Sequence, residues 1–170
     1  MLKPEIQALI EDQVNYEFFS AYIYLGIHVY YADKNLNGFA NWFQIQTQEE
    51  RDHAMLMVQY LLNNGATVKL PEVHAVVSQY KTFDAPLKAA YEHELAVTSR
   101  IHNIYDAALA VKDFRTTQFL DWFVKEQGEE EKNIEDIIKR YDLFANDTKG
   151  LYNLDAELAT RIYAPPTLVL

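Results

Sequence analysis

Four glutamates and one histidine fall where helical spacing calls for apolar residues, and together they have the chemistry of a divalent-cation site. Glu17 lies between Val14 and Ala21/Tyr24, and Glu50 and His53 lie between Phe43 and Met57. Glu94 lies between Tyr91 and Ile101, and Gln127 and Glu130 lie between Phe123 and Ile134. Each interrupts a stripe of apolar residues recurring every three or four positions, the pattern of a helix face turned to a core. Ionised carboxylates left unpaired in such a core would be strongly destabilising. Lys and Arg are absent from these stripe positions, so ion pairing is a poor solution. Protonation would neutralise the cluster without giving a reason to keep it, whereas two divalent cations balance four carboxylates. Oxygen and imidazole donors without sulfur suit iron, manganese or zinc. Glu50-Arg51-Asp52-His53 is an E-x-x-H step whose ends share one helix face. A lone mid-helix Glu is ordinarily solvated and a lone E-x-x-H is ordinarily structural. The reading rests on four such signals at one depth.

The elements that must position these residues are four long helices and a short fifth. The spacing predicts helices from about Glu5 to Ala32, Asn37 to Asn63, Phe83 to Lys112 and Asp113 to Leu143, with a last helix from about Leu151 to Tyr163. Thr82 or Asp84 is the candidate cap of the third helix, and Asp113 that of the fourth. Residues 65–82 carry Gly65, Pro71 and scattered Val without helical period. Extended, that segment reaches roughly 60 Å, whereas a helix the length of the first is about 42 Å long, so it can traverse the whole bundle. Two helical pairs joined by one long crossover is an all-α, four-helix topology. Glu17, Glu50 and Glu130 sit near the midpoints of their helices and Glu94 within about a turn of its own. Midpoints share one level whichever way each helix runs, so the side chains are expected to converge.

Composition narrows the function. The chain has 170 residues, enough for one domain (1–170) with a real core. With no Cys, thiolate-held zinc and iron–sulfur clusters are excluded, and a reducing cytosol is expected. The formal charge of −10 argues against nucleic acid as a partner and suits attraction of cations. The opening Met1-Leu2-Lys3-Pro4-Glu5 has no basic-then-apolar leader, and no apolar run spans a membrane, so a cytoplasmic protein is expected.

At the level of motifs the chain resembles the bacterial-type non-haem ferritins over about residues 1–160. The resemblance is carried by Met1-Leu2-Lys3-Pro4-Glu5, by Gln48-Glu49-Glu50 leading to His53, and by Glu92-His93-Glu94. Phe119-Leu120-Asp121-Trp122-Phe123-Val124, the following Glu126-Gln127-Gly128-Glu129-Glu130-Glu131-Lys132, and Gly150-Leu151-Tyr152 complete it. It implies a ferritin-like bundle that oxidises Fe(II) with O2 or H2O2 and stores ferric mineral in a hollow homo-oligomeric shell of 24 subunits. The first iron would use Glu17, Glu50 and His53. The second would use Glu50 as a bridge with Glu94 and Glu130, and Gln127 would lie beside the pair. A third iron site would use Glu49, Glu126, Glu129 and Glu130, against the bland alternative of an acidic solvated helix face. Tyr24 would hydrogen-bond a ligand or donate an electron, or would simply pack in the core. Trp122 carries the same pair of readings. The haem-binding Met of related proteins corresponds to Asp52, so no haem is expected, and Met55 and Met57 are read as core residues. His28, His74, His93 and His102 are read as structural or surface groups, and the tail from Ala164 to Leu170 is left without a reading. A rubrerythrin-like peroxidase would want further ligands and a Cys-rich partner domain. A DNA-binding mini-ferritin would want a basic tail.

Overall fold

In a computed structural model describing residues 2–170, the chain forms five α-helices and, among the described residues, no strand. They are α1 (Pro4–Asp33), α2 (Asn37–Asn63), α3 (Ala85–Ala110), α4 (Phe114–Phe144) and α5 (Thr148–Leu158). The all-α bundle with one long crossover is the architecture expected from the stripes. Helix α1 packs on α2, α3 packs on α4, and α1 also packs on α3. The tight α1–α2 and α3–α4 turns each use one residue with left-handed backbone, Asn35 (φ 58°) and Lys112 (φ 58°). Asn tolerates that region well; Lys adopts it at some cost.

The core is divided. One apolar half gathers Tyr24, Ile27, Tyr31, Phe39, Phe43, Leu87, Ile134 and Ile137. The other gathers Ile10, Val14, Met57, Leu61, Val97, Ile101, Phe119 and Phe123. Aromatic contacts stiffen both halves: Tyr31 stacks between Phe39 and Phe43 at centroid distances of 4.9 and 5.8 Å, and Tyr60 stacks on Phe119 at 3.9 Å. Between the halves lies the polar layer described below. Of the two methionines read as core residues, Met57 is buried but Met55 is exposed.

Helix α3 starts at Ala85, later than the expected Phe83. Pro86 has no N–H to donate to the Thr82 carbonyl. That carbonyl instead accepts from the Tyr30 hydroxyl at 3.2 Å, and the Phe83 carbonyl accepts from the Tyr31 hydroxyl at 2.5 Å. These bonds tie the end of the crossover to α1. Asp84 occupies the N-cap position, but its carboxylate turns to Lys88 at 2.5 Å instead of to the helix backbone. Helix α3 also ends at Ala110, short of Lys112, whose left-handed backbone begins the turn into α4. Asp113 does cap α4, accepting from the Thr116 backbone N–H at 3.2 Å.

Helix α5 spans Thr148–Leu158 instead of 151–163. Its start moves forward because Asp147 caps it, accepting from the Gly150 N–H at 2.7 Å. Beyond Leu158 the chain turns back along the bundle. The backbones of α2 and α4 approach nowhere within 8 Å, and the tail lies in the groove between them. It is held there by Tyr163 donating to Asp52 at 2.5 Å and by Trp122 Nε1 donating to Thr167 Oγ1 at 3.1 Å.

Docking of α5 depends on one close approach. No side chain of α2 or its Leu36 cap satisfies the first N–H groups of α2. Asp155 of α5 does so, accepting from Gly38 N at 2.8 Å and Phe39 N at 3.0 Å. A Cβ at Gly38 would stand 1.6 Å from the Asp155 carbonyl oxygen. Gly38→Ala is therefore expected to undock α5 and lower stability by about 1–3 kcal/mol. Limited proteolysis should then cut near 145–147 in the variant, and an unchanged digestion pattern would contradict the docking.

Candidate metal centre

Helix periodicity brings the polar residues into one layer. Glu17 faces inward because Val14 and Tyr24 of the same helix are core residues, and Glu50 and His53 share the inward face of α2 with Phe43 and Met57. Glu94 of α3 and Gln127 and Glu130 of α4 follow the same rule. All six are 4% exposed or less. Candidate ligand atoms of Glu17, Glu50 and His53 lie within 4.8 Å of one another, and so do those of His53, Glu126 and Glu130. His53 is common to both sets.

Each carboxylate is held by a neutral donor. Gln13 Nε2 donates to Glu17 Oε1 at 2.8 Å. Gln46 Nε2 donates to Glu130 Oε2 at 2.7 Å and, more weakly, to Glu50 Oε1 at 3.3 Å. Glu94 takes the Tyr24 hydroxyl on one oxygen and Gln127 Nε2, at 3.0 Å, on the other. With both oxygens engaged, Glu94 joins neither close set. Glu17 Oε2 is buried and has no hydrogen-bond partner. An orphan oxygen on a buried carboxylate that also lies close to an imidazole and a second carboxylate fits a cation ligand better than it fits a packed core.

The electrostatics agree. Glu17, Glu50 and Glu130 are pushed well above the ordinary carboxylate range, first by burial. Repulsion adds to this: Glu50 acts on Glu17, and Glu94 acts on Glu50 and Glu130. Glu94 is raised by burial, opposed by its hydrogen bonds from Tyr24 and Gln127. Tyr24 is driven far up by burial and by Glu94, so its hydroxyl keeps its proton as a donor. The imidazole of His53 lies beside these acids, with its Nδ1 3.7 Å from Glu50 Oε2.

An outer cleft of about 280 Å³ adjoins the layer, lined by Glu49, His53, Trp122, Glu126, Glu129, Glu130, Arg161 and Thr167. His53 and Glu130 therefore border both compartments. All four residues read as a third site line this cleft, but they do not form one close set. Glu126 meets His53 and Glu130. Glu49 is instead bound by Arg161 Nη2 at 2.6 Å, and Glu129 stays exposed, 3.6 Å from Lys125. Trp122 packs edge-on against His53, with ring centroids 5.5 Å apart. Asp52 accepts from the Tyr163 hydroxyl.

Several participants escaped the reading of the sequence. Gln13 and Gln46 are buried on the same faces as the glutamates, four residues before Glu17 and Glu50, and that i−4 spacing was the available signal. Arg161 carried none, because its approach depends on the path of the chain after α5. His93 is a buried structural group, as read. It bonds Ser20 at 2.7 Å and stacks on Tyr16, and burial, with Arg100 second, lowers its pKa to about 4.

Comparison with known proteins fits this geometry. The sequence profile of the ferritin-like domain matches residues 7–144. A bacterial non-heme ferritin of Escherichia coli is 32% identical over 160 residues, covering 94% of this chain and 97% of its own. A probable bacterial non-heme ferritin-like protein of Haemophilus influenzae is 30% identical, covering 93% and 96%. A solved structure of an open pore ferritin from the archaeon Archaeoglobus fulgidus superposes with a TM-score of 0.93 at 38% identity, covering 95% of this chain and all of the other. An engineered closed form of the Archaeoglobus fulgidus ferritin gives a TM-score of 0.94 at 38% identity. The fold and its carboxylate layer define a ferritin-like helical bundle. The chain belongs to the ferritin family.

The raised carboxylates make cation-free stability depend on pH. A carboxylate whose pKa is higher folded than unfolded stabilises fully below its ordinary 4.5 and loses that contribution as pH rises. In chelator, Glu17→Gln is expected to raise the melting temperature by several degrees at pH 8 and by much less at pH 5. Equal effects at both pH values would contradict a destabilising charge at Glu17.

Proposed function

We propose that this protein stores iron and oxidises it as it does so. Fe(II) is the substrate, with O2 or H2O2 as oxidant. Membership of the ferritin family supports iron storage, and the observation that carries the finer reading is the buried carboxylate layer with its orphan Glu17 oxygen. One Fe(II) would take Glu17, Glu50 and His53. A second would take Glu50 as a bridge with Glu94 and Glu130, Glu94 turning from its present partners, and Gln127 lying beside. Two Fe(II) ions surrender two electrons, which with two protons reduce O2 to H2O2, or reduce H2O2 to two waters. Hard anionic carboxylates favour the Fe(III) product. Tyr24, which donates to Glu94, would hold that ligand or supply an electron.

Oxidised iron would leave past His53 and Glu130 into the outer cleft. A third iron there would use Glu49, Glu126, Glu129 and Glu130, and would require Arg161 to release Glu49. The product would collect as mineral inside a homo-oligomeric shell of 24 chains in the cytoplasm. Such a shell has a formal charge of roughly −240, which draws cations inward. Among the described residues, no helix is long and apolar enough to cross a membrane.

The test is rapid mixing of Fe(II) with the protein in air, following oxidation by absorbance and particle mass by sedimentation. Wild type should oxidise two Fe(II) per chain in a fast phase and gain mass as iron accumulates. Glu50→Ala and His53→Ala should lose the fast phase, by about 100-fold or more, while remaining folded and assembled. Normal rates in both variants would refute the site.

A further inference from the structure

Two buried glutamines repeat one arrangement on different helices. On α1, Arg100 Nε of α3 donates to Gln13 Oε1 at 2.8 Å, and Gln13 Nε2 donates to Glu17 Oε1 at 2.8 Å. On α2, Arg161 Nη1 donates to Gln46 Oε1 at 3.0 Å, and Gln46 Nε2 donates to Glu130 and Glu50. The supports of the arginines match as well. Arg100 lies over the Tyr16 ring at 4.1 Å and pairs with Asp12. Arg161 lies over the Trp42 ring at 4.4 Å and pairs with Glu49.

The chemistry of the groups gives this pattern a direction. A guanidinium has only donors, so the glutamine must turn its carbonyl oxygen toward it. The NH2 is then fixed toward the carboxylate. A glutamine without that constraint could flip and set its carbonyl oxygen against a carboxylate. Each amide also occupies one chosen oxygen: Gln13 takes Glu17 Oε1 and leaves Oε2 unpartnered. Gln13 and Gln46 are 0% and 1% exposed, so neither can exchange its partner for bulk water.

We propose that Gln13 and Gln46, each oriented by its arginine, are positioning residues that aim Glu17, Glu50 and Glu130 at the cations. The relays reach outward to the bundle surface at Arg100 and to the strap after α5 at Arg161. The end of the chain is thereby coupled to the centre of the bundle, which gives the tail a role in site geometry. The proposal rests on the two-cation reading above.

The probe is Co(II), added to the assembled full-length protein without oxidant and followed by titration and by visible absorption. Gln13→Leu and Gln46→Leu fill the same space without a donor. Both are expected to weaken Co(II) binding by about 10–100-fold and to change the position and intensity of the Co(II) bands. Arg100→Met and Arg161→Met should shift the spectrum in the same direction by less, and Arg100→Lys and Arg161→Lys should restore part of the loss. Wild-type affinity and bands in both glutamine variants would overturn the proposal. If a glutamine variant does not fold, the arginine variants decide, because those side chains are partly exposed (31% and 20%). Unchanged bands in both Arg→Met variants would then overturn it. Glu50→Ala is the control. Tight Co(II) binding retained there would refute the two-cation reading itself, whereas its loss there with wild-type glutamine variants would refute only the relays.

Discussion

The constraint on which the structure depends is the burial of four carboxylates at mid-height in an apolar bundle. Glu17, Glu50, Glu94 and Glu130 separate two apolar clusters that would otherwise form one continuous core. Water is excluded on both sides, so the acids repel one another at low effective dielectric, and burial and mutual repulsion raise their pKa values together. Neutral donors from Gln13, Gln46, Gln127 and Tyr24 reduce the penalty without removing the charge. A cationic partner such as Lys would cancel it, but would also occupy the space that metal ions need.

The scaffold is built to keep those side chains at one level. Aromatic stacks in each apolar half resist sliding of the helices, and the hydroxyls of Tyr30 and Tyr31 fix the crossover to α1. Helix α5 caps α2 through Asp155, so the last helix stabilises the first turn of the helix that supplies Glu50 and His53. From α5 the chain returns along the groove between α2 and α4 and brings Arg161 to Glu49 and Gln46. The stability of the ends and the geometry of the centre are thus linked through hydrogen bonds.

Much of this was legible in the sequence, for a physical reason. An interrupted apolar stripe reports both face and depth, so Glu17, Glu50, His53, Glu94 and Glu130 could be set in one layer before any coordinates. Properties that depend on long-range paths were not legible. The α3 start was misplaced because the Thr82 and Phe83 carbonyls are taken by tyrosines more than fifty residues away. The α5 range shifted because the Asp147 cap outweighed the apolar pattern. Glu49 looked like a free acid because nothing local announces Arg161, 112 residues further on. Gln13 and Gln46 were missed for a different reason: uncharged amides on a buried face read as tolerated polar residues until their partners are seen.

The central claim is that the carboxylate layer exists to hold two cations. Anomalous diffraction from crystals soaked anaerobically in Fe(II) tests it most directly. The account predicts two peaks per chain inside the bundle, both in contact with Glu50, one also with Glu17 and His53 and the other with Glu94 and Glu130. Iron found only on the outer acidic surface, with the buried layer unchanged at saturating Fe(II), would contradict it.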